Sequence, residues 1–324
     1  MKNRLGIVFC FGFILSACAS VETRLPVPSP TQLAMETGSQ EAEAFARYLK
    51  MRKRLDKVSA PILAANAELC KKNRADFGVV THAKKSYPKH LRAAASRHLG
   101  AEDSPIVLLV REASPGAKAG IRRGDVLINA KGKPISAYDK SLKHADNVHI
   151  RRAGMDMKIP LNGDRVCDYA VALKMSGAVN AYANGKSIVV TTAMMDFAGS
   201  DDELALVVGH ELAHNTMGHV RKAIWNTVIS GFATRTTRPF ESEADYIGLY
   251  YMARAGYKLD GVEDFWRRLG VTYPKSIVRE KTHPVTPMRL LAIRLAVAEV
   301  EAKRAAGTAL LPNYLPGKRP DYGQ

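Results

Sequence analysis

Long apolar runs are missing from this 324-residue sequence. The two best candidates, Leu5 to Leu15 and Ala223 to Ala233, fall well short of the roughly 20 apolar residues that cross a bilayer. The second is also interrupted by Asn226, Thr227 and Ser230. This argues against a membrane-embedded catalytic domain. Cysteine is scarce, with four residues and no Cys-x-x-Cys pair, so no structural metal cluster is encoded. There are no internal repeats and no nucleic-acid-binding pattern, and nucleic acid is not expected as a partner despite a net charge of +17. That charge has two readings: attraction to anionic headgroups, lipopolysaccharide or acidic substrates, or a solubilising surface. An apolar content of 46% is ordinary for a globular chain, and the length is enough for more than one compact unit.

What is present is concentrated in eleven residues, His210-Glu211-Leu212-Ala213-His214-Asn215-Thr216-Met217-Gly218-His219-Val220. Ser200 to Glu203 form a capping-box pattern that predicts a helix start. Leu204, Val207, Val208 and Leu212 continue at core-facing helical spacing. His210 and His214, just over one turn apart, share a face and can hold one zinc ion. Glu211 lies about 100° around the axis, badly placed as a ligand but within reach of a water at that ion. The arrangement predicts metal-assisted hydrolysis with Glu211 as general base.

A catalytic zinc needs a third protein ligand. The metzincin positions, three and six residues beyond His214, are Met217 and Val220, so that pattern fails. His219 points elsewhere on a continuous helix and is read as a packing or hydrogen-bonding residue. The better candidate is Glu241, in Arg238-Pro239-Phe240-Glu241-Ser242-Glu243-Ala244-Asp245, at the start of a second apolar-periodic stretch. Asp245 shares its face and is expected to partner a ligand imidazole.

Taken together, H-E-L-A-H-N-x-x-x-H, E-S-E-A-D, and Thr282-His283-Pro284 with Arg289 resemble the CAAX prenyl protease/HtpX-type zinc metallopeptidases. The resemblance is greatest to their soluble periplasmic branch, to which the beta-barrel assembly-enhancing protease belongs. Asn180-Ala181-Tyr182-Ala183 resembles that family's strand beside the cleft. The resemblance covers about residues 60–90 and 165–305. It implies one zinc per chain on His210, His214 and Glu241, with Glu211 as base. It also implies an active-site role for His283, either as a fourth ligand that silences the site or as a donor to the oxyanion.

The amino end predicts the compartment. Met1-Lys2-Asn3-Arg4 and the apolar Leu5 to Leu15 read as a signal peptide. Leu15-Ser16-Ala17-Cys18 resembles a bacterial lipobox, which implies lipid on Cys18. Ala19 and Ser20 differ from an inner-membrane retention signal, so the expected location is the periplasm, anchored to the outer membrane. Of the four cysteines Cys10 leaves with the signal and Cys18 carries lipid. The remaining Cys70 and Cys167 can pair in an oxidising compartment.

Between those two cysteines, Ile106 to Val110, Ser114 to Ile121, Gly124 to Asn129 and Gly132 to Ile135 resemble a PDZ domain of bacterial secreted proteases. Such a domain implies capture of extended peptides by strand addition. His98-Leu99-Gly100 is its candidate carboxylate-binding loop. The expected class is α+β: a mainly helical zincin-type peptidase domain with a small sheet and an inserted β-rich PDZ domain. The expected boundaries are a lipoprotein signal peptide at 1–17, a tether at 18–40, an N-terminal helical part at 41–97, PDZ at 98–164, metallopeptidase at 165–305 and a tail at 306–324. Within them, helices are expected at 40–58, 201–230, 241–256, 260–269 and 284–305, and strands at 169–175 and 187–192. The function expected is a zinc endopeptidase acting on misfolded or misassembled envelope proteins. The rival is a PDZ-led chaperone or binding factor in envelope assembly with little turnover.

Overall fold

A computed structural model describes residues 25–222, 238–274 and 287–313. Cys18 and His283 lie outside the described residues. Contacts divide the chain into a short unit up to Gln40 and a second unit from Glu41 onward. In the first unit, residues 30–40 are the start of helix α1, Pro30–Ala65, and not the tether that their proline and glycine content predicts. Pro30 is tolerated at a helix start, where its missing N–H has no intrahelical acceptor to lose. Leu33 and Met35 there are exposed.

In the second unit α1 becomes a core helix. Phe45, Tyr48, Arg52, Leu55, Val58, Ser59, Ile62 and Leu63 recur at three- and four-residue intervals and are buried. Each large apolar side chain so buried contributes about 1.5–3 kcal/mol. Arg52, buried among them, donates from Nη1 to the Val171 carbonyl at 2.8 Å. A short α2, Arg92–Leu99, ends at Gly100, whose φ of +72° forms a left-handed cap. Leu99 joins the main core, and His98 stacks on Phe45 at 5.9 Å. The candidate carboxylate loop is therefore a helix end packed on α1.

A smaller β-rich region has its own apolar cluster, from Phe77 and Val79 through Ile121, Leu127 and Ile150 to Leu161. Its strands are β1 (Asn73–Asp76), β2 (Val79–His82), β3 (Ile106–Val110), β4 (Val126–Ile128), β5 (Asn147–Arg152), β6 (Met155–Pro160) and β7 (Asp164–Cys167), with the one-turn helix α3, Pro115–Lys118, after β3. β2 pairs with β3, β4-β5-β6 form an antiparallel sheet, and β1 pairs antiparallel with β7. The chain thus enters and leaves this region side by side, and a disulfide joins Cys70 to Cys167 there. Closing a loop of sequence separation 97 restricts the unfolded chain by on the order of 4 kcal/mol.

The remainder builds the site. β8 (Ala170–Lys174), β9 (Ala181–Ala183) and β10 (Ser187–Thr191) form a sheet in the order β8-β10-β9. β10 runs parallel to β8 and antiparallel to β9, which leaves β9 on the edge. The helices are α4 (Thr192–Phe197), α5 (Asp201–Thr216), α6 (Arg238–Arg254), α7 (Val262–Thr272) and α8 (Pro287–Ala305). Among the described residues no helix is long and apolar enough to cross a membrane. Leu311 to Asn313, read from sequence as part of the tail at 306–324, are tied down. Lys303 Nζ donates to the Leu311 carbonyl at 2.6 Å and to Asn313 Oδ1 at 2.7 Å, and Pro312 is buried.

Candidate active site

α5 starts where its sequence says it should. Ser200 is the N-cap and accepts from the Glu203 N–H at 3.1 Å. The returning bond differs from a standard capping box, because Glu203 Oε2 accepts from the Gly199 N–H at 2.7 Å. The helix ends earlier than the apolar pattern predicts. Met217 is its C-cap and Gly218 adopts φ +69°, a conformation in which a side chain is strained. That break turns His219 back toward the helix it has just left.

α5 packs closely against α6, and a pair of glycines permits it. A Cβ added at Gly209 would stand 2.7 Å from the Gly248 carbonyl oxygen, and one at Gly248 would stand 2.8 Å from the His210 nitrogen. The two backbones therefore touch beside the first histidine, and the start of α6 is carried over the face that bears both histidines. His210 Nε2 lies 3.1 Å from His214 Nε2 and 3.5 Å from Glu241 Oε2, and His214 Nε2 lies 3.3 Å from Glu241 Oε1. Ligand atoms about 2.0–2.1 Å from a tetrahedral zinc stand about 3.3–3.4 Å apart. Three such separations among two imidazole nitrogens and a carboxylate fit that ion. All three side chains are buried, and they form a candidate metal group among the described residues. Glu211, next along α5, is 2% exposed.

Around this group the charges are arranged in turn. His210 Nδ1 lies 2.9 Å from Asp245 Oδ1, an ion-pair contact within the buried site. Arg289 of α8 grips Asp245 with two nitrogens, Nη2 at 2.8 Å from Oδ1 and Nε on Oδ2, and its Nη1 lies 3.7 Å from Glu241 Oε2. The Arg289 guanidinium sits over the Trp266 ring at 4.2 Å, and that ring meets His210 edge-on at 5.3 Å. Burial alone would raise the Asp245 carboxyl, but the Arg289 charge and the Arg289 and His210 hydrogen bonds outweigh it and hold the carboxyl below its usual range. The structure brings Glu241 to both histidines and Asp245 to His210. Sequence reading missed Trp266, the Gly209–Gly248 contact and the grip of Arg289 on Asp245. The only sequence signal for the contact was a glycine inside each apolar helical run.

The two histidines differ in proton affinity. Burial opposes charge on His210, but the hydrogen bonds and charges of Asp245 and Glu241 raise its pKa to about 9. Burial, with the neighbouring His210, lowers that of His214. In the metal-free protein at pH 7, His210 is therefore protonated and His214 neutral. Zinc must displace one proton, from His210, so its affinity should rise by about tenfold per pH unit between pH 7 and 9 and then level off. Calorimetric zinc titrations in buffers of different ionisation heat count that proton. An affinity flat across this range would contradict the assignment.

Comparison with known proteins agrees with this geometry. Residues 158–231 and 224–297 match the model of peptidase family M48, and together these spans contain every residue of the site. The mitochondrial metalloendopeptidase OMA1 of Schizosaccharomyces pombe is 24% identical over 147 residues, covering 37% of this chain and 44% of that protein. The protein of the same name from Arabidopsis thaliana is 34% identical over 116 residues, covering 28% and 24%. The Saccharomyces cerevisiae one is 26% identical over 137 residues, covering 33% and 39%. The chain spans less than half the length of the curated relatives it matches. The match and the three converging side chains agree: the segment from residue 158 to 297 is similar to peptidase family M48 and carries a buried His210, His214 and Glu241 group placed to bind a metal.

Proposed function

We propose that the chain is a zinc endopeptidase of the bacterial cell envelope that removes misfolded or misassembled proteins. The observation that carries the peptidase part is the convergence of His210, His214 and Glu241, with Glu211 buried beside them on the same helix. Zinc held there supplies a Lewis acid that polarises a carbonyl and makes water acidic near neutral pH. Glu211 takes the proton of the attacking water and hands it to the leaving amine. Asp245, itself pinned by Arg289, keeps His210 oriented with Nε2 toward the ion. β9 lies against α5 and is one of the two edge strands of its sheet. An extended substrate can pair with that edge and present its carbonyl beside the ligands.

The envelope part rests on the sequence. The lipobox at Cys18 supports a lipid anchor in the periplasm, with the outer membrane as its site. The β-rich region between Cys70 and Cys167, with an apolar cluster of its own, supports the reading of a PDZ domain that delivers unfolded chains. His283, by the family resemblance, gates or assists the reaction.

The test is substrate capture in intact cells. The Glu211→Gln protein, expressed with a palmitate analogue and crosslinked, should carry the label and retain unfolded envelope polypeptides. Cys18→Ala should remove the label and reduce the capture. Capture of cytosolic proteins alone, or no label on the wild-type protein, would refute the envelope reading.

A further inference from the structure

His219 has no place in the reaction as described, yet it is 2% exposed and touches a metal ligand. Its Nδ1 lies 3.1 Å from His214 Nδ1, and its Nε2 lies 2.6 Å from Glu243 Oε2. Phe240 stacks on its ring at 4.7 Å with planes 16° apart. We propose that Glu243 and His219 form a hydrogen-bond chain that holds the His214 imidazole in the tautomer and orientation zinc requires. The two histidine ligands are then anchored by two different routes: His210 directly by Asp245, and His214 through a second histidine.

The chain follows from proton accounting. His214 turns Nε2 toward His210 and Glu241, so this nitrogen offers its lone pair to the ion and Nδ1 carries the proton. Nδ1–H then donates to His219 Nδ1, which must be the unprotonated nitrogen of its ring. His219 is left with a proton on Nε2, and this donates to the Glu243 carboxylate. The reverse assignment would put a hydrogen on His214 Nε2 and remove the lone pair from the metal side. Ligand capture and the chain therefore select the same tautomers.

Each link has a structural cause. On an unbroken α5, His219 would stand five residues and about 140° away from His214. The left-handed Gly218 ends the helix first and folds His219 onto the back of the His214 ring. Glu243 follows Glu241 by two residues, about 200° around α6, so it approaches from the far flank and meets His219, while Glu241 faces the histidine pair. The three acids of E-S-E-A-D thereby take three tasks: ligand, anchor of His214 by relay, and anchor of His210.

This inference rests on the zinc reading, and the two fail differently. A wild-type protein that binds no zinc would refute the zinc site itself. The relay is tested by zinc affinity, measured by chelator competition, together with long-range nitrogen–proton NMR of the histidines in the zinc-loaded protein. His219→Phe keeps the stack on Phe240 and removes the acceptor. It should weaken zinc binding by about 10–100-fold while the metal-free protein melts within a few degrees of wild type. His219→Gln, which restores an acceptor and a donor, should recover part of the loss. Glu243→Gln should weaken binding less than His219→Phe does, and should add nothing in the His219→Phe background. The wild-type spectrum should show protons on His214 Nδ1 and His219 Nε2. Zinc affinity within about twofold of wild type in both His219→Phe and Glu243→Gln, or a proton on His219 Nδ1 in the zinc-loaded protein, would overturn the relay. Should His219→Phe not fold, Glu243→Gln and the spectrum decide alone.

Discussion

Glu211→Gln is expected to cut hydrolysis of unfolded casein by about 100- to 10,000-fold, the range that general-base catalysis supplies, while the protein keeps close to one zinc per chain. The reason is geometric. Glu211 follows His210 by one residue, so its side chain leaves α5 about 100° from the ligand face. It flanks the ion without joining His210, His214 and Glu241, whose donor atoms already lie at tetrahedral spacing. Glutamine fills nearly the same volume and keeps a hydrogen-bonding head, so the buried site should fold as before. What it lacks is a proton acceptor strong enough to take a proton from water. The ligand substitutions have the opposite signature: His210→Ala, His214→Ala and Glu241→Ala should lose metal and activity together. Zinc content by elemental analysis, beside casein cleavage, separates the two classes. Normal cleavage by a Glu211→Gln protein free of other proteases would remove Glu211 from the mechanism.

How much of this site could be read in advance depends on how local each part is. The H-E-x-x-H spacing and the Ser200 cap are local, and the structure places both on one helix, with only the returning bond moved to Gly199. Glu241 was legible as an acid at a helix start because no nearer residue on α5 could complete the ligand set. The end of α5 was not legible from periodicity, since the apolar pattern runs on past Gly218 and only the positive φ there shows the break. The role of His219 depends on that break, and a continuous helix would aim it away. Strand β1, Asn73–Asp76, carries a charged sequence that does not read as a strand; its pairing with β7 makes it one. The pairing partners of Arg289 and Trp266 come from helices far along the chain, and no spacing rule reaches them.

The closeness of α5 and α6 yields the second large effect, and its sign is diagnostic. In an open helix interior, replacing glycine with alanine stabilises by about 1 kcal/mol, because alanine loses less backbone entropy on folding. Gly38, within α1 and with nothing inside 4 Å of an added Cβ, should behave that way and serves as the control. Gly248→Ala should do the reverse. Its Cβ would meet the His210 nitrogen at 2.8 Å and the His210 Cα at 3.0 Å. Both are backbone atoms of a helix buried in the core and cannot swing aside as the end of a side chain would. The helices must separate, and overpacking of this kind costs about 1–3 kcal/mol. That separation acts on the metal site directly, because Glu241 and Asp245 ride on α6 while His210 and His214 ride on α5. A shift of a few tenths of an ångström matches or exceeds the tolerance of about 0.2 Å on a zinc–ligand distance. Gly248→Ala should therefore lower the melting temperature of the metal-free protein and also weaken zinc binding by about tenfold or more, whereas Gly38→Ala should do neither. Equal or greater stability in Gly248→Ala, with zinc affinity unchanged, would show that the helix contact does not set the ligand geometry.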